Sequence, residues 1–361
     1  MIADLKVYAR NLEQAAVEQI ETLAMQPAFQ GSRIRIMPDA HAGAGCVIGF
    51  TADLGEKVVP NLVGVDIGCG MLTVEVVIPD DLAEFDECVK RVVPAGFSAH
   101  ERETCDVTQL GLICEGELQK IERLNRSLGT LGGGNHFIEL DASGEGAYLV
   151  IHSGSRNLGL QVANIYQCKA LAECADDVPE GLKYLTGELA EAYLHDMRIC
   201  QRWAWENREA MARAILDSLG MGGARVSFHT VHNYIADDNI IRKGAISARA
   251  GERVLIPFNM RDGAAICIGK GNEDWNYSAP HGAGRAMSRQ KARETLDLGD
   301  FQSQMEGVYT TTATAETIDE APGAYKPAQE IVELLEPTVE IVERIVPVYN
   351  FKACDRAPWR D

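Results

Sequence analysis

The 361-residue chain predicts a mixed fold of strands and helices, read as a single composite domain over residues 1–361. Three observations predict it. Short apolar runs with strand character are interspersed with long stretches at helical spacing. No internal repeat and no low-complexity linker divides the chain. Three times, at residues 63–71, 129–139 and 149–156, a glycine- or serine-framed backbone leads to a side chain able to bind metal.

Taken in order, Leu5, Leu12, Ala16, Ile20 and Leu23 predict a helix over residues 5–25, closed before Pro27. Residues 33–37 alternate as a strand and deliver Pro38-Asp39-Ala40-His41 and the glycine-rich residues 42–45. Asp39 and His41 read either as an Asx turn or as a pair that orients metal ligands from behind. Val58, Val59, Leu62, Val63 and Val65 read as a buried strand running into Val-Gly-Val-Asp-Ile-Gly-Cys-Gly-Met at 63–71. That segment sets Asp66 and Cys69 three residues apart on a glycine turn, where positive φ or close backbone approach makes a rigid perch. Alone, Cys69 reads as a small buried hydrophobe.

A strand over 72–78 is followed by an acidic region to residue 126, predicted helical and peripheral. Residues 129–139 then carry Gly-Gly-Gly-Asn135-His136-Phe-Ile-Glu139, and an apolar run at 149–151 ends in His152-Ser-Gly-Ser-Arg156. The hydroxyls, amides and guanidinium of that last turn suit a phosphate. Residues 184–219 predict a long helix, whole or in two pieces, broken at 221–224, with His195 structural. A strand beginning at 225 brings His229 and His232, which face opposite ways if extended, so His232 beside Asn233 is the one that reaches a common site and His229 packs. Arg242-Lys243-Gly244-Ala245-Ile246 and a β-rich segment at 253–257 follow. His281 lies between Pro280 and a Gly-Ala-Gly turn, and a helix from about Gly284 would put Arg285 and Arg289 on one face as an anion site. Residues 326–346 predict a helix interrupted by Pro337, and 348–352 a closing strand.

The composition bounds the function. A net charge of −19 argues against a protein that coats nucleic acid, and leaves room for a local basic site around Arg242-Lys243 and Arg285 to Arg293. No apolar run is long enough to span a membrane and no signal-peptide pattern opens the chain, so a cytoplasmic protein is expected. Ten cysteines with no Cys-x-x-Cys pair read as thiols of a reducing compartment.

Asp66, Cys69, His136, His152 and His232 together exceed one tetrahedral zinc site and lack its paired cysteines. One carboxylate, one thiolate able to bridge and three imidazoles suit a dinuclear site with open positions, which clamps phosphate oxygens. His281 stands outside that count, where a ligand, a general base or a covalent nucleophile would look alike; as a nucleophile it would attack a nucleotide α-phosphate and form a phosphoramidate. No P-loop or Rossmann fingerprint is present.

The segments at 38–41, 63–71, 132–137, 152–156, 232–234, 242–245, 281–289 (His-Gly-Ala-Gly-Arg-Ala-Met-Ser-Arg) and 321–326 (Ala-Pro-Gly-Ala-Tyr-Lys) resemble, in order and over nearly the whole chain, the RtcB family of RNA-splicing ligases. The resemblance implies an α+β fold with central β-sheets around the active site and peripheral helices. It implies two Mn2+ ions on Asp66, Cys69, His136, His152 and His232, with Cys69 bridging, and His281 as the guanylylated nucleophile. Asn135, Arg156 and Arg285 match positions that hold phosphates of GTP or of the RNA end, and Asn233, Glu139, Tyr325 and Lys352 match the guanine pocket. The implied reaction is a GTP-dependent joining of an RNA 3′-phosphate or 2′,3′-cyclic phosphate to a 5′-hydroxyl, in tRNA splicing or RNA repair. Archease, a small accessory protein, is a partner of some family members. The shorter chain and Asn157 where glycine is frequent point to a specialised paralogue, and Lys352 is followed by Ala353-Cys354-Asp355 where the family commonly ends soon after a Lys-Gly. The alternatives are a dinuclear-metal phosphohydrolase, a 3′-phosphate capping enzyme without efficient ligation, and a non-catalytic RNA or metal binder.

Overall fold

A computed structural model describes residues 3–353 except 44, 145 and 224. Ala44 of the glycine-rich turn, Ala224 of the predicted helix break and the tail from Cys354 lie outside the described residues.

In chain order the elements are β1 (Asp4–Val7), α1 (Gln14–Ala24), β2 (Arg33–His41), β3 (Ile48–Asp53), β4 (Gly70–Val76), α2 (Leu82–Val92), α3 (Ile121–Asn125), β5 (Phe137–Ala142), β6 (Ala147–Ser153), α4 (Arg156–Glu173) and α5 (Gly187–Ser218). There follow β7 (Ser227–Val231), β8 (Asn233–Ile235), β9 (Ile240–Lys243), β10 (Ala245–Ser247), β11 (Arg253–Asn259), β12 (Gly263–Gly269), β13 (Ser278–Pro280), α6 (Arg289–Thr295), α7 (Leu298–Gln304), α8 (Ala328–Leu335) and β14 (Val339–Lys352). Among the described residues this is an α+β fold, as expected.

The strands form a five-stranded sheet ordered β1-β2-β3-β9-β8, a pair β10-β13, and a seven-stranded sheet ordered β11-β12-β14-β5-β6-β4-β7. The seven-stranded sheet curls until its edges approach, where the Leu255 N–H of β11 donates to Thr230 Oγ1 of β7 at 2.9 Å. Period-two alternation then divides each strand between two environments. Met71, Phe137, Val150, Leu255 and Ile345 fill the inside of the curl. Leu72, Ile138, Leu149 and Ile151 turn outward onto α2 and α5. The largest core packs the other sheet against α1, α4 and α5. The mouth of the curl and the end of the five-stranded sheet face one cleft.

Five expectations are corrected. Leu5 lies in β1, paired in parallel with β2, so only residues 14–24 of the first predicted helix are helical. The apolar run before Asp66 is not a strand: residues 60–62 form a short 3-10 turn, Val65 is exposed, and the strand begins after Cys69, at Gly70. The acidic region is helical only at α2 and α3, with short 3-10 turns between. No helix starts at Gly284; α6 begins at Arg289, capped by the Ser288 hydroxyl accepting from Lys291 N–H, so the two arginines do not share a helix face. Residues 339–346 are strand, not helix, because Pro337 ends α8 and the chain then adds to the β12 and β5 ladders.

Candidate metal centre and its cleft

The three glycine- or serine-framed turns converge. Cys69 Sγ lies 3.4 Å from His136 Nε2 and 3.3 Å from His152 Nε2. His136 Nε2 meets Asp66 Oδ2 at 3.0 Å, and the Nε2 atoms of His152 and His232 are 3.4 Å apart. Their ligand atoms fall into two groups, Asp66-Cys69-His136 and Cys69-His152-His232, each within 4.8 Å and sharing Cys69. Each trio is metal-competent, and the shared sulfur is suited to bridge.

Local structure explains the convergence. His152, next to last in β6, is in register with Met71 of β4 and Phe137 of β5, so Cys69 and His136 arrive one residue ahead of adjacent strands. Gly154 allows the closest approach: a Cβ there would sit 2.1 Å from Asp66 Oδ1. Gly68, at φ +71°, lets the turn pass under α5. His229 and His232 do face opposite ways. His229 stacks on Trp205 and bonds Glu209 at 2.9 Å, away from the cluster.

Protonation favours ligation. The Asn135 carbonyl accepts from His152 Nδ1 at 3.1 Å, which leaves Nε2 its lone pair toward Cys69. Burial, and then the neighbouring histidines, push His152 and His232 well below the usual imidazole range, so both are neutral. Burial opposes ionisation of Asp66, but the bond and charge of His136 hold it at about 2. Burial and then the Asp66 charge push the Cys69 thiol up, against the weaker pull of Arg208. The unpartnered, buried Nδ1 atoms of His136 and His232 are consistent with rings oriented through Nε2.

A cleft of about 870 Å3 opens over the cluster, lined in part by Asn135, Glu139, Asn233, His281, Arg285, Tyr325 and Lys352. The His232 and His281 rings are 5.2 Å apart. Asp39 and His41 lie within β2 rather than in a turn after it, and Asp39 serves His281 instead of the five. Its Oδ2 accepts from His281 Nδ1 at 2.6 Å and from the His281 backbone N–H at 3.1 Å. His41 Nδ1 lies 3.0 Å from the Asp39 carbonyl. Arg156 stands behind the cleft, donating to Thr130 Oγ1 at 3.2 Å and to the Gly96 carbonyl at 3.0 Å. Asn233 Oδ1 accepts from Gly244 N–H, and Asn135 is exposed at the rim.

Sequence reasoning missed Glu320. This carboxylate, 2% exposed, binds Lys352 Nζ at 2.9 Å, Arg285 at 3.1 Å, Arg289 at 2.6 Å and the Tyr325 hydroxyl. Asp319 binds Arg289 at 2.8 Å and Arg293 at 3.3 Å. The two arginines expected on one helix face therefore converge through a shared counter-ion. Deep in the cleft, burial pushes the Glu139 carboxyl up to about 7 against the pull of Lys352 and an Asn350 hydrogen bond. The signal for Glu320 was an acid five residues before Tyr325, and burial alone made it distinctive.

Fold and cluster define an α+β protein with a metal-competent cleft. The family model described as tRNA-splicing ligase RtcB matches residues 19–119 and 113–353. The chain is 32% identical to the RNA-splicing ligase RtcB of Escherichia coli K12, over 94% of this chain and 95% of that one. It is 29% identical to RNA-splicing ligase RtcB2 of Escherichia coli ATCC 25922, over 94% and 93%, and 27% identical to the tRNA-splicing ligase RtcB of Aeropyrum pernix, over 83% of each. The chain belongs to the RtcB family, a family of RNA-ligating enzymes. Among the described residues no helix is long and apolar enough to cross a membrane.

Proposed function

We propose that the chain, acting as one catalytic domain, is a GTP- and Mn2+-dependent RNA ligase that joins 3′-phosphate or 2′,3′-cyclic phosphate ends to 5′-hydroxyl ends in tRNA splicing or RNA repair. The observation that carries this reading is the arrangement of a fourth histidine beside the five-residue cluster. His281 shares the cleft with two ligand trios joined at Cys69, and its ring is held from behind by Asp39. A phosphohydrolase needs the cluster but does not need His281 as a covalent nucleophile, so GTP dependence separates the two readings.

Asp66, Cys69 and His136 would hold one ion and Cys69, His152 and His232 the other. Bound there, Mn2+ supplies neutralisation of charge on phosphoryl oxygens. A carboxylate can only accept, so Asp39 fixes the proton on His281 Nδ1 and leaves the Nε2 lone pair as nucleophile. Nε2 attacks the α-phosphorus of GTP, an N–P bond forms, and pyrophosphate leaves. A cyclic RNA end is first opened by water to the 3′-phosphate. That phosphate takes GMP from His281, and the 5′-hydroxyl then attacks the activated phosphorus, losing its proton and expelling GMP.

Arg285 is pre-oriented by Glu320 for a phosphate, and Asn135 offers an amide at the rim. Arg156 reaches a phosphate in the cleft only by leaving Thr130 and Gly96. Glu139, Tyr325, Lys352 and Asn233 form the guanine pocket, where a carboxylate accepts from the base N–H groups. RNA and GTP are the substrates; archease is the candidate accessory protein.

The test is incubation with GTP labelled on its α-phosphate and Mn2+, followed by a denaturing gel, with His281→Ala alongside. An acid-labile label on the wild type alone is expected. Absence of label on manganese-loaded, zinc-free protein would sink the ligase mechanism and favour the phosphohydrolase.

A further inference from the structure

Two consecutive residues of α5, Asn207 and Arg208, reach every segment that carries the five proposed ligands. Both are fully buried. Asn207 Oδ1 accepts from the Gly129 and Thr130 N–H groups at 2.8 and 3.0 Å, in the turn that leads to His136. Its Nδ2 donates to the Thr130 carbonyl at 3.1 Å, to Ser153 Oγ at 3.2 Å and to the Gly154 carbonyl at 3.3 Å, beside His152. Arg208 Nη1 donates to the Gly68 carbonyl at 2.9 Å and to the Ser153 carbonyl at 2.7 Å, each one residue from a ligand, Cys69 and His152. Arg208 Nε faces His229 Nδ1 at 3.3 Å, on the strand that leads to His232.

We infer that Asn207 and Arg208 are positioning residues that set the spacing between the two ligand trios, an assignment that rests on the metal reading above. Packing alone does not call for them. Full burial of a guanidinium is costly, and among the described residues its acceptors are neutral carbonyls and an imidazole rather than a carboxylate. An apolar side chain would fill the same helix position without that cost. What the pair supplies is directional: four backbone carbonyls and two backbone N–H groups of three separate turns are tied to adjacent positions of one rigid helix. Turns rich in glycine have little of their own to hold them, and ligand spacing depends on them.

The experiment titrates metal-free protein with Co2+ alone, reading the cobalt–thiolate absorption and counting bound ions by equilibrium dialysis. Asn207→Asp keeps the acceptor and loses the donors; Arg208→Lys keeps the charge and loses the fork. Both are expected to fold, by far-UV circular dichroism, and to bind Co2+ about tenfold or more weakly. Asp196→Asn is the control. Asp196 is equally buried on α5 but ties the Ile113 and Cys114 N–H groups and the Tyr166 hydroxyl, away from the cluster. It is expected to lower Tm and leave Co2+ affinity unchanged. Folded Asn207 and Arg208 variants that bind two Co2+ like wild type would overturn the inference. So would an equal loss of affinity in Asp196→Asn, or a failure of both conservative variants to fold. If wild type binds no Co2+, or Cys69→Ser keeps the absorption, the metal reading itself falls and takes this inference with it.

Discussion

At Glu320 a single buried carboxylate organises one side of the cleft. Burial opposes its ionisation, but Lys352, Arg289 and Arg285 outweigh it and hold the group at about 2, against an ordinary value of 4.5. Because the folded value is depressed, the stability it confers is full above about pH 4.5 and is lost as pH falls toward 2. Glu320→Gln is expected to cost about 3–5 kcal/mol near neutrality, since Lys352 and Arg285 lose their counter-ion and Arg289 is left with Asp319, and to flatten the acid limb of stability between pH 4.5 and 2; chemical denaturation across that range checks both. Gly154 makes a second residue-scale case. Gly154→Ala would drive a methyl group into the Asp66 carboxylate, so the ligand must swing aside. Loss of metal uptake, read by dialysis, is the expected outcome. The candidate ligands were legible because their glycine contexts recur in the chain, whereas Glu320 and Asn207 sit in ordinary local surroundings and acquire partners only on folding.

At the scale of elements, the clearest lesson lies in residues 326–346. Ile331, Leu334, Leu335, Val339, Val342 and Ile345 fit a helical period, yet the chain turns to strand after Pro337. The strand alternation leaves Val342 53% exposed and Ile345 at 0%. A helix would bury both. Ile345→Ala is therefore expected to cost about 2–5 kcal/mol, and Val342→Ala within about 0.5 kcal/mol, as urea denaturation would report. A short apolar run cannot choose its own period; here an open ladder between β12 and β5 chose it. The same competition explains residues 4–7, where an apolar pattern shared with α1 is captured by the free edge of β2.

Across the whole molecule, a net charge of −19 surrounds a small cationic group, Arg285, Arg289, Arg293 and Lys352, gathered on one side of the cleft. Such a protein grips few phosphates. The logarithmic salt dependence of binding to single-stranded RNA is expected to have a slope no steeper than about −3, corresponding to roughly four neutralised phosphates. A markedly steeper slope would mean a broad RNA surface. A thiolate and three imidazoles also favour zinc over manganese on intrinsic affinity. Added Zn2+ is expected to occupy the site and inhibit GTP labelling, and prior chelation of zinc should restore it.

Taken alone, the sequence pointed to the candidate site, an aspartate, a cysteine and histidines beside glycine- and serine-rich turns, and to the family whose motifs they spell. Those signals are local, because a glycine turn beside a strand end is written in a few adjacent residues. Tertiary structure decided what depended on distant partners. It placed Asp39 behind His281 across more than two hundred residues, joined Arg285 to Arg289 through Glu320, and set Asn207 and Arg208 of one long helix against three turns. A buried hydrogen bond or ion pair leaves no period in the chain, and its direction exists only once both partners are held in place.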